Sequence, residues 1–406
     1  MKIGIDFHLA EREGTGNCTY MRNLVESLLT IDSRNEYILY ITRENYPYHD
    51  RFRAHKNASL SYLGKGSPLE RMFRLGRQTF RDDIDILHVN YYGPPFYHGK
   101  LIMTVHDLSF EHLPDCFTTF ERVKDRLLIP FYIRRADRIL TVSEFSRQDM
   151  VKLYGAAPEK IVVGYNGVNP AFTPLTDGGE REEAAKILSS YGINKAFILY
   201  IGRLNRRKNL HILIDAFNRI KQDGAFPPFD KGGRKGDFSG KLEHQLVIVG
   251  RRDYLPASDM EMINSSPFYQ DIVFTGYLPD QHLPLAYGRA DVFVYPSLFE
   301  GFGLPCLEAM ACGCPVVTSN TTSLPEVVGD TGILIDPLNP REIAAAIVAV
   351  LTDPTRRSLM ASRGLERAKL FTWKHTAEKM LEIIDDLAKP LIPPPLQGEG
   401  KGGDGV

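Results

Sequence analysis

No apolar run in the chain approaches the ~20 residues that a bilayer-spanning helix needs. The opening "MKIGIDFHL" enters a strand-like alternation at once, without a charged and apolar leader. Neither an integral membrane protein nor a cleavable secretory signal is expected. An excess charge of one sign is missing too, because 49 basic and 50 acidic side chains leave a formal net charge of −1. No global field draws such a chain onto nucleic acid, so any anion site must be local. Cysteine is scarce, odd in number and scattered, at Cys18, Cys116, Cys306, Cys312 and Cys314. No pair has metal-ligand spacing; the pattern suits small buried thiols in a reducing cytosol rather than a metal site or a disulfide framework.

What is present is a repeating alternation. Short apolar, branched-rich runs recur with amphipathic helical stretches between them, the sign of parallel strands joined by crossover helices. "KIGIDF", "EYILYI", "DILHV", "LIMTV", "RILTV" and "IVVG" supply the first half; "FILYI", "QLVIV", "DIVFT", "DVFVY", "PVVT" and "GILI" supply the second. The 406 residues fit two domains of this kind. The boundaries expected are 1–170 and 191–371, with a linker region at 171–190 following the Pro-, Gly- and Thr-rich join. A last helix over 372–389 begins at Thr372 as its N-cap. The stretch 223–243 far exceeds the ~2 to 6 residues usual between helix and strand. Its composition, like that of 390–406, predicts a flexible insertion and a disordered tail.

Two doubly wound sheets face each other across a cleft, and ligands of such sheets bind outside the carboxyl ends of the strands. "FILYI" runs into a turn with Gly202, Arg203 and Lys208. Backbone N–H groups, a helix dipole and cations there suit a diphosphate, the alternative being a solvated basic turn. "FEGFGLPCLEAMACGCPVV" follows the strand "DVFVY". Gly301 and Gly303 let backbone approach a ligand, Pro305 suits a first helical turn, Glu300 sits in the loop and Glu308 one turn inside the helix. A glycosidase pair needs one carboxyl with a raised pKa. Glu308 near a helix N-terminus is instead expected to stay ionised, and a carboxylate there suits two vicinal hydroxyls such as those of a ribose. An incidental glutamate on a capped helix is the plainer alternative.

In the first half, Gly14 and Gly16 open a glycine-rich loop that matches a dinucleotide fingerprint poorly, since Thr19 stands where a third small residue is wanted. His106 and Asp107 follow a buried strand. Over 67–83, Arg71, Arg74, Arg77 and Arg81 recur at helical spacing beside Leu69, Met72, Phe73 and Phe80. Such a helix can lie on an anionic membrane or simply present a solvated face.

Taken together, "VHDLSF", "SEFSRQDM", "NGV", "GRLNRRKN" and "EGFGLPCLEAMACGCPVV" resemble a retaining glycosyltransferase of family 4, over nearly the whole chain to about Lys389. The resemblance implies an α/β fold of the GT-B type: two Rossmann-like doubly wound domains, the first for the acceptor and the second for a nucleotide sugar, with the C-terminal helix crossing back to the first. It implies transfer of a sugar from a nucleotide-diphosphate donor with retention. No metal and no cofactor beyond the donor are implied, because Arg203 and Lys208 stand where the family neutralises the diphosphate. By the same resemblance Glu308 binds the ribose, Glu300 with the backbone of Gly301, Phe302 and Gly303 holds the hexose, and His106 contacts the sugar near the reacting centre. Gly14, Gly16, Gly202 and Leu304 complete the donor-binding set. His106, Arg203, Lys208 and Glu300 form the catalytic set, and a donor phosphate oxygen takes the acceptor proton.

"TVHDLSF" is similar to mannosyltransferase relatives, which favours GDP-mannose as donor. A saccharide or lipid-linked acceptor in surface polysaccharide biosynthesis follows, with a cytoplasmic enzyme that meets the inner face of the membrane. A GT-B-type sugar-nucleotide epimerase and a non-catalytic sugar-nucleotide binding protein remain as alternatives. Asn17-Cys18 and Asn209, the latter where glycine is common, depart from the family pattern.

Overall fold

The computed structural model describes residues 1–176, 178–223 and 242–389. The predicted insertion, apart from its ends, and the whole predicted tail lie outside the described residues. The first sheet holds β1 (Lys2–Asp6), β2 (Glu36–Ile41), β3 (Ala58–Tyr62), β4 (Ile86–Asn90), β5 (Lys100–Val105), β6 (Arg138–Thr141) and β7 (Ile161–Val163). Their spatial order is β3-β2-β1-β4-β5-β6-β7. The second holds β8 (Phe197–Ile201), β9 (Gln245–Val249), β10 (Ile272–Gly276), β11 (Val292–Tyr295), β12 (Val316–Ser319) and β13 (Ile333–Ile335), ordered β10-β9-β8-β11-β12-β13. Every pairing in both sheets is parallel.

Parallel strands covered by helices on both faces must be apolar throughout, and every residue of β4, β8, β9, β11 and β12 is buried. That is why the continuous runs in the sequence mark strands. β3 was not among the expected strands. Its sequence, ASLSY, is half-exposed because it forms the edge of the sheet and has one neighbour, β2. The predicted linker region is also only partly a linker, since Gly178–Ser189 is a helix whose Ala184 and Leu188 are buried.

The helix Trp373–Ala388 is capped by Thr372, whose side chain accepts from the His375 N–H. Its buried positions, Trp373, Thr376, Ala377, Met380, Ile383 and Ile384, recur at three- and four-residue steps. They pack that helix against Gly16–Ile31 of the first domain. Arg34 pairs with Asp385 at 3.0 Å and Arg138 with Asp386, fastening its far end. The chain thus passes between domains twice, and the two passes touch where Val168 N–H donates to the Phe371 carbonyl. Gly167 is required there, because a Cβ would fall on the Trp373 backbone.

In each sheet the strand order reverses once, between β1 and β4 and between β8 and β11. Ligand crevices open at such switch points. The Gly14–Gly16 loop follows β1, the Arg203–Lys208 turn follows β8 and the Glu300 loop follows β11.

Candidate active site

Lys208 and Glu300 come from loops after neighbouring strands, so their side chains meet. The Lys208 ammonium donates to Glu300 Oε1 and, at 2.6 Å, to the Tyr295 hydroxyl. Ser297 Oγ donates to the same carboxylate oxygen at 2.6 Å. Burial opposes ionisation of Glu300, but the cations Lys208 and Arg207 hold its carboxyl below the usual range. The glutamate is therefore an anion whose Oε1 accepts from Lys208 and Ser297, not an acid waiting to give up a proton.

Arg207, the residue directly before Lys208, is a further cation of this turn that its local sequence does not single out. It reaches across the cleft to Asp107 Oδ2 at 3.2 Å. Against the cost of burial, Asp107 and Glu300 raise the guanidinium pKa, keeping it charged. Asp107 is oriented by the Ser109 N–H at 2.9 Å. Arg203 itself is exposed on the turn after β8. Asn209, where glycine is common in the family, has φ 59°. Asparagine tolerates that left-handed backbone, and its Nδ2 donates to the carbonyls of Pro296 and Pro337 at 3.0 and 2.7 Å.

His106 stands directly opposite. A Cβ on Gly301 would come within 2.5 Å of the His106 carbonyl oxygen, so only glycine allows this approach between domains. The His106 ring lies edge-on to Tyr20, with centroids 4.6 Å apart, and Nε2 is 3.1 Å from Asn90 Oδ1. Burial pushes its pKa down to about 4, so the imidazole is neutral near pH 7 and acts as a hydrogen-bonding group. With Nε2–H donating to the Asn90 oxygen, Nδ1 is left as an acceptor.

Glu308 corrects the expectation of an ionised group. It lies in the second turn of Leu304–Ala311, accepts from the Tyr287 hydroxyl at 3.0 Å, and burial pushes its carboxyl up to about 8. Desolvation outweighs the short helix dipole. Gly303, at φ 109°, turns the chain into this helix, with Pro305 in its first turn. The Phe302 ring faces the protein, near Tyr165 and Phe371, which leaves only its backbone for a ligand. Gly14 and Gly16 are exposed, with open space where a side chain would stand. Thr322, at φ 60°, is a β-branched residue in the left-handed region. Its hydroxyl accepts from the Glu300 N–H at 3.2 Å. No local sequence signal announces that conformation, and strain of this kind gathers at functional sites. Among the described residues no three His, Cys, Asp or Glu side chains form a metal-holding group.

The model "Glycosyltransferase Family 4" matches residues 19–172, and "Glycosyl transferases group 1" matches 195–353. O-antigen chain mannosyltransferase B of Escherichia coli is 33% identical over 295 residues, covering 70% of this chain and 71% of that protein. The chain belongs to glycosyltransferase family 4. This glycosyltransferase superposes on sucrose-phosphate synthase from Thermosynechococcus elongatus with a TM-score of 0.74 at 20% identity, over 95% of this chain and 99% of the other. HepE of Anabaena, solved with UDP-glucose, gives 0.71 at 18% identity over 95% and 100%. The fold is therefore GT-B, with the glycosyltransferase cleft between the two sheets. Lys208, Glu300, Gly301 and His106 meet in that cleft, while Glu308 and Arg203 flank it and the Gly14–Gly16 loop opens the helix that carries Tyr20.

Proposed function

We propose that the enzyme transfers a hexose, mannose in preference, from a nucleotide-diphosphate sugar to a saccharide or lipid-linked acceptor with retention at the anomeric carbon. The observation that carries this is the buried Lys208–Glu300 pair, with half-buried Arg207 beside it, set against His106 across the cleft. The likeness to O-antigen chain mannosyltransferase B supports mannose, and therefore GDP-mannose, and a role in surface polysaccharide assembly. Arg203 and Lys208 hold the diphosphate, whose charge grows as the glycosidic bond breaks, so their cations act most strongly in the transition state. Glu300 and the backbone of Gly301 to Gly303 hold the hexose. Glu308 takes the ribose hydroxyls, and a donor phosphate oxygen receives the acceptor proton. No metal is needed to neutralise the leaving group. A panel of sugar nucleotides tests the donor: turnover of GDP-mannose is expected, and turnover of UDP-glucose alone would overturn the assignment.

A lipid-linked acceptor is met at an anionic membrane. Of the predicted basic face, Arg71 is turned inward to Asp6 and Arg74 to backbone carbonyls, leaving Arg77 and Arg81 outward. Exposed Phe73 and Phe80 on Pro68–Arg81 join Phe96, whose ring centroid is 6.4 Å from that of Phe73. The Tyr132 hydroxyl bonds the Gly93 carbonyl, linking that loop to Thr119–Arg135, whose Phe120, Leu127 and Phe131 are also exposed. Apolar side chains amid Arg77, Arg81 and Arg134 match an anionic lipid surface. Co-sedimentation with phosphatidylglycerol vesicles but not phosphatidylcholine vesicles is expected, weakened by Phe80→Ser with Leu127→Ser. Equal sedimentation of wild type and variant would refute this face.

A further inference from the structure

The short helix Leu324–Val328 of the second domain carries Glu326 to the start of Glu144–Tyr154 in the first. A helix start leaves its first N–H groups without intrahelical partners. Here they are divided between domains. Ser143, the N-cap, accepts from the Ser146 N–H at 3.1 Å. Glu326 accepts from the Glu144 N–H at 2.8 Å and the Phe145 N–H at 2.6 Å, one on each carboxylate oxygen. The second domain therefore completes a cap that the first cannot complete alone.

Both ends of this contact lead to the reacting centre. On the first-domain side, Ser146 Oγ donates to the His106 carbonyl at 2.9 Å. On the second-domain side Ser323, three residues before Glu326, donates from Oγ to the carbonyls of Glu300 and Phe302, both at 2.9 Å. Arg367 fixes the short helix from behind by donating to the carbonyls of Glu326 and Val327 at 2.6 Å. Phe145 packs edge-on against Phe299, with centroids 5.5 Å apart, which excludes water beside the contact. We propose that Glu326 is a positioning residue for sugar transfer: a clasp between domains that sets His106 against the Glu300–Gly303 loop without touching the donor.

The inference rests on the assignment of this cleft as the transfer site, and one arm of its test needs no sugar nucleotide. Amide hydrogen exchange is measured on the full chain for wild type, Glu326→Ala and Glu326→Gln. In the alanine variant exchange at Glu144 and Phe145 is expected to rise about 10- to 100-fold, as for lost N–H bonds to a charged acceptor. Glutamine keeps one acceptor oxygen and should fall between. With the donor found active, Glu326→Ala should lower kcat at least about tenfold, since displacements near 1 Å cost up to ~10²-fold. The donor dissociation constant should change less than kcat, within about twofold, because Arg203, Lys208, Glu300 and Glu308, which are proposed to grip the diphosphate, hexose and ribose, all lie in the second domain. Unchanged exchange would overturn the clasp. Raised exchange with wild-type kcat, or an equal loss in donor binding, would overturn the positioning role. If the alanine variant does not fold, the glutamine variant carries the same measurements.

Discussion

Gly301→Ala adds one carbon at the closest approach of the two domains. Its Cβ would stand 2.5 Å from the His106 carbonyl oxygen and 3.1 Å from Asp107 Cβ. The first distance is about 0.9 Å short of the 3.4 Å at which ordinary contact begins. The obstructing oxygen is backbone, so it cannot rotate aside as a long side chain would. Gly301 does not have a left-handed φ, so alanine carries no conformational penalty of its own. The strain must appear as separation of the domains, or as loss of the Ser146 bond to the same oxygen. A displacement near 1 Å at a reacting centre costs about 10²-fold, some 2.7 kcal/mol of transition-state stabilisation. Steady-state transfer of radiolabelled sugar should show that fall in kcat, while far-UV circular dichroism shows both domains still folded. A variant with kcat within about threefold of wild type would refute the claim that this contact sets the geometry.

Arg203→Ala, at an exposed position, should lower kcat by about 10²- to 10³-fold without loss of stability, as removal of a transition-state charge partner does. Lys208→Met should unfold more readily, by about 3 to 5 kcal/mol, because it strands a buried carboxylate; urea titration of both variants separates the two effects. For Glu308 the folded pKa of about 8 lies above the ordinary 4.5. Between those values the folded state holds a proton that the unfolded state has released, so stability falls as pH rises through the window. Glu308→Gln should flatten that part of the melting-temperature profile, and parallel profiles would contradict the raised pKa. Chelation with EDTA should leave the transfer rate unchanged, and a rate restored only by added Mg²⁺ would count against charge neutralisation by Arg203 and Lys208.

The sheets were readable because two-sided burial forces β8 or β9 to be apolar without interruption. β3 escaped because an edge strand has no such obligation. In the cleft, Lys208 and Glu300 could be singled out separately, each following a strand, but their pairing depends on β8 lying beside β11. The Arg207–Asp107 bridge joins residues 100 positions apart. Local composition does not encode such a meeting. Glu308 shows the converse failure: the helix start was evident, yet the apolar surroundings that govern its charge come from the whole domain. Thr322 and Glu326 gave no signal, since a strained φ and a cap supplied by another domain are properties of the assembled fold.

The return of Trp373–Ala388 to the first domain has a consequence for synthesis. The apolar side of Gly16–Ile31 that this helix covers emerges from the ribosome early, and its cover emerges roughly 350 residues later. At ~5 to 20 residues per second that interval lasts about 20 to 70 s. During it the first domain must survive with a bare stripe, or wait for a chaperone to shield it. A helix translated roughly 350 residues after Gly16–Ile31 is thus what finishes the first domain.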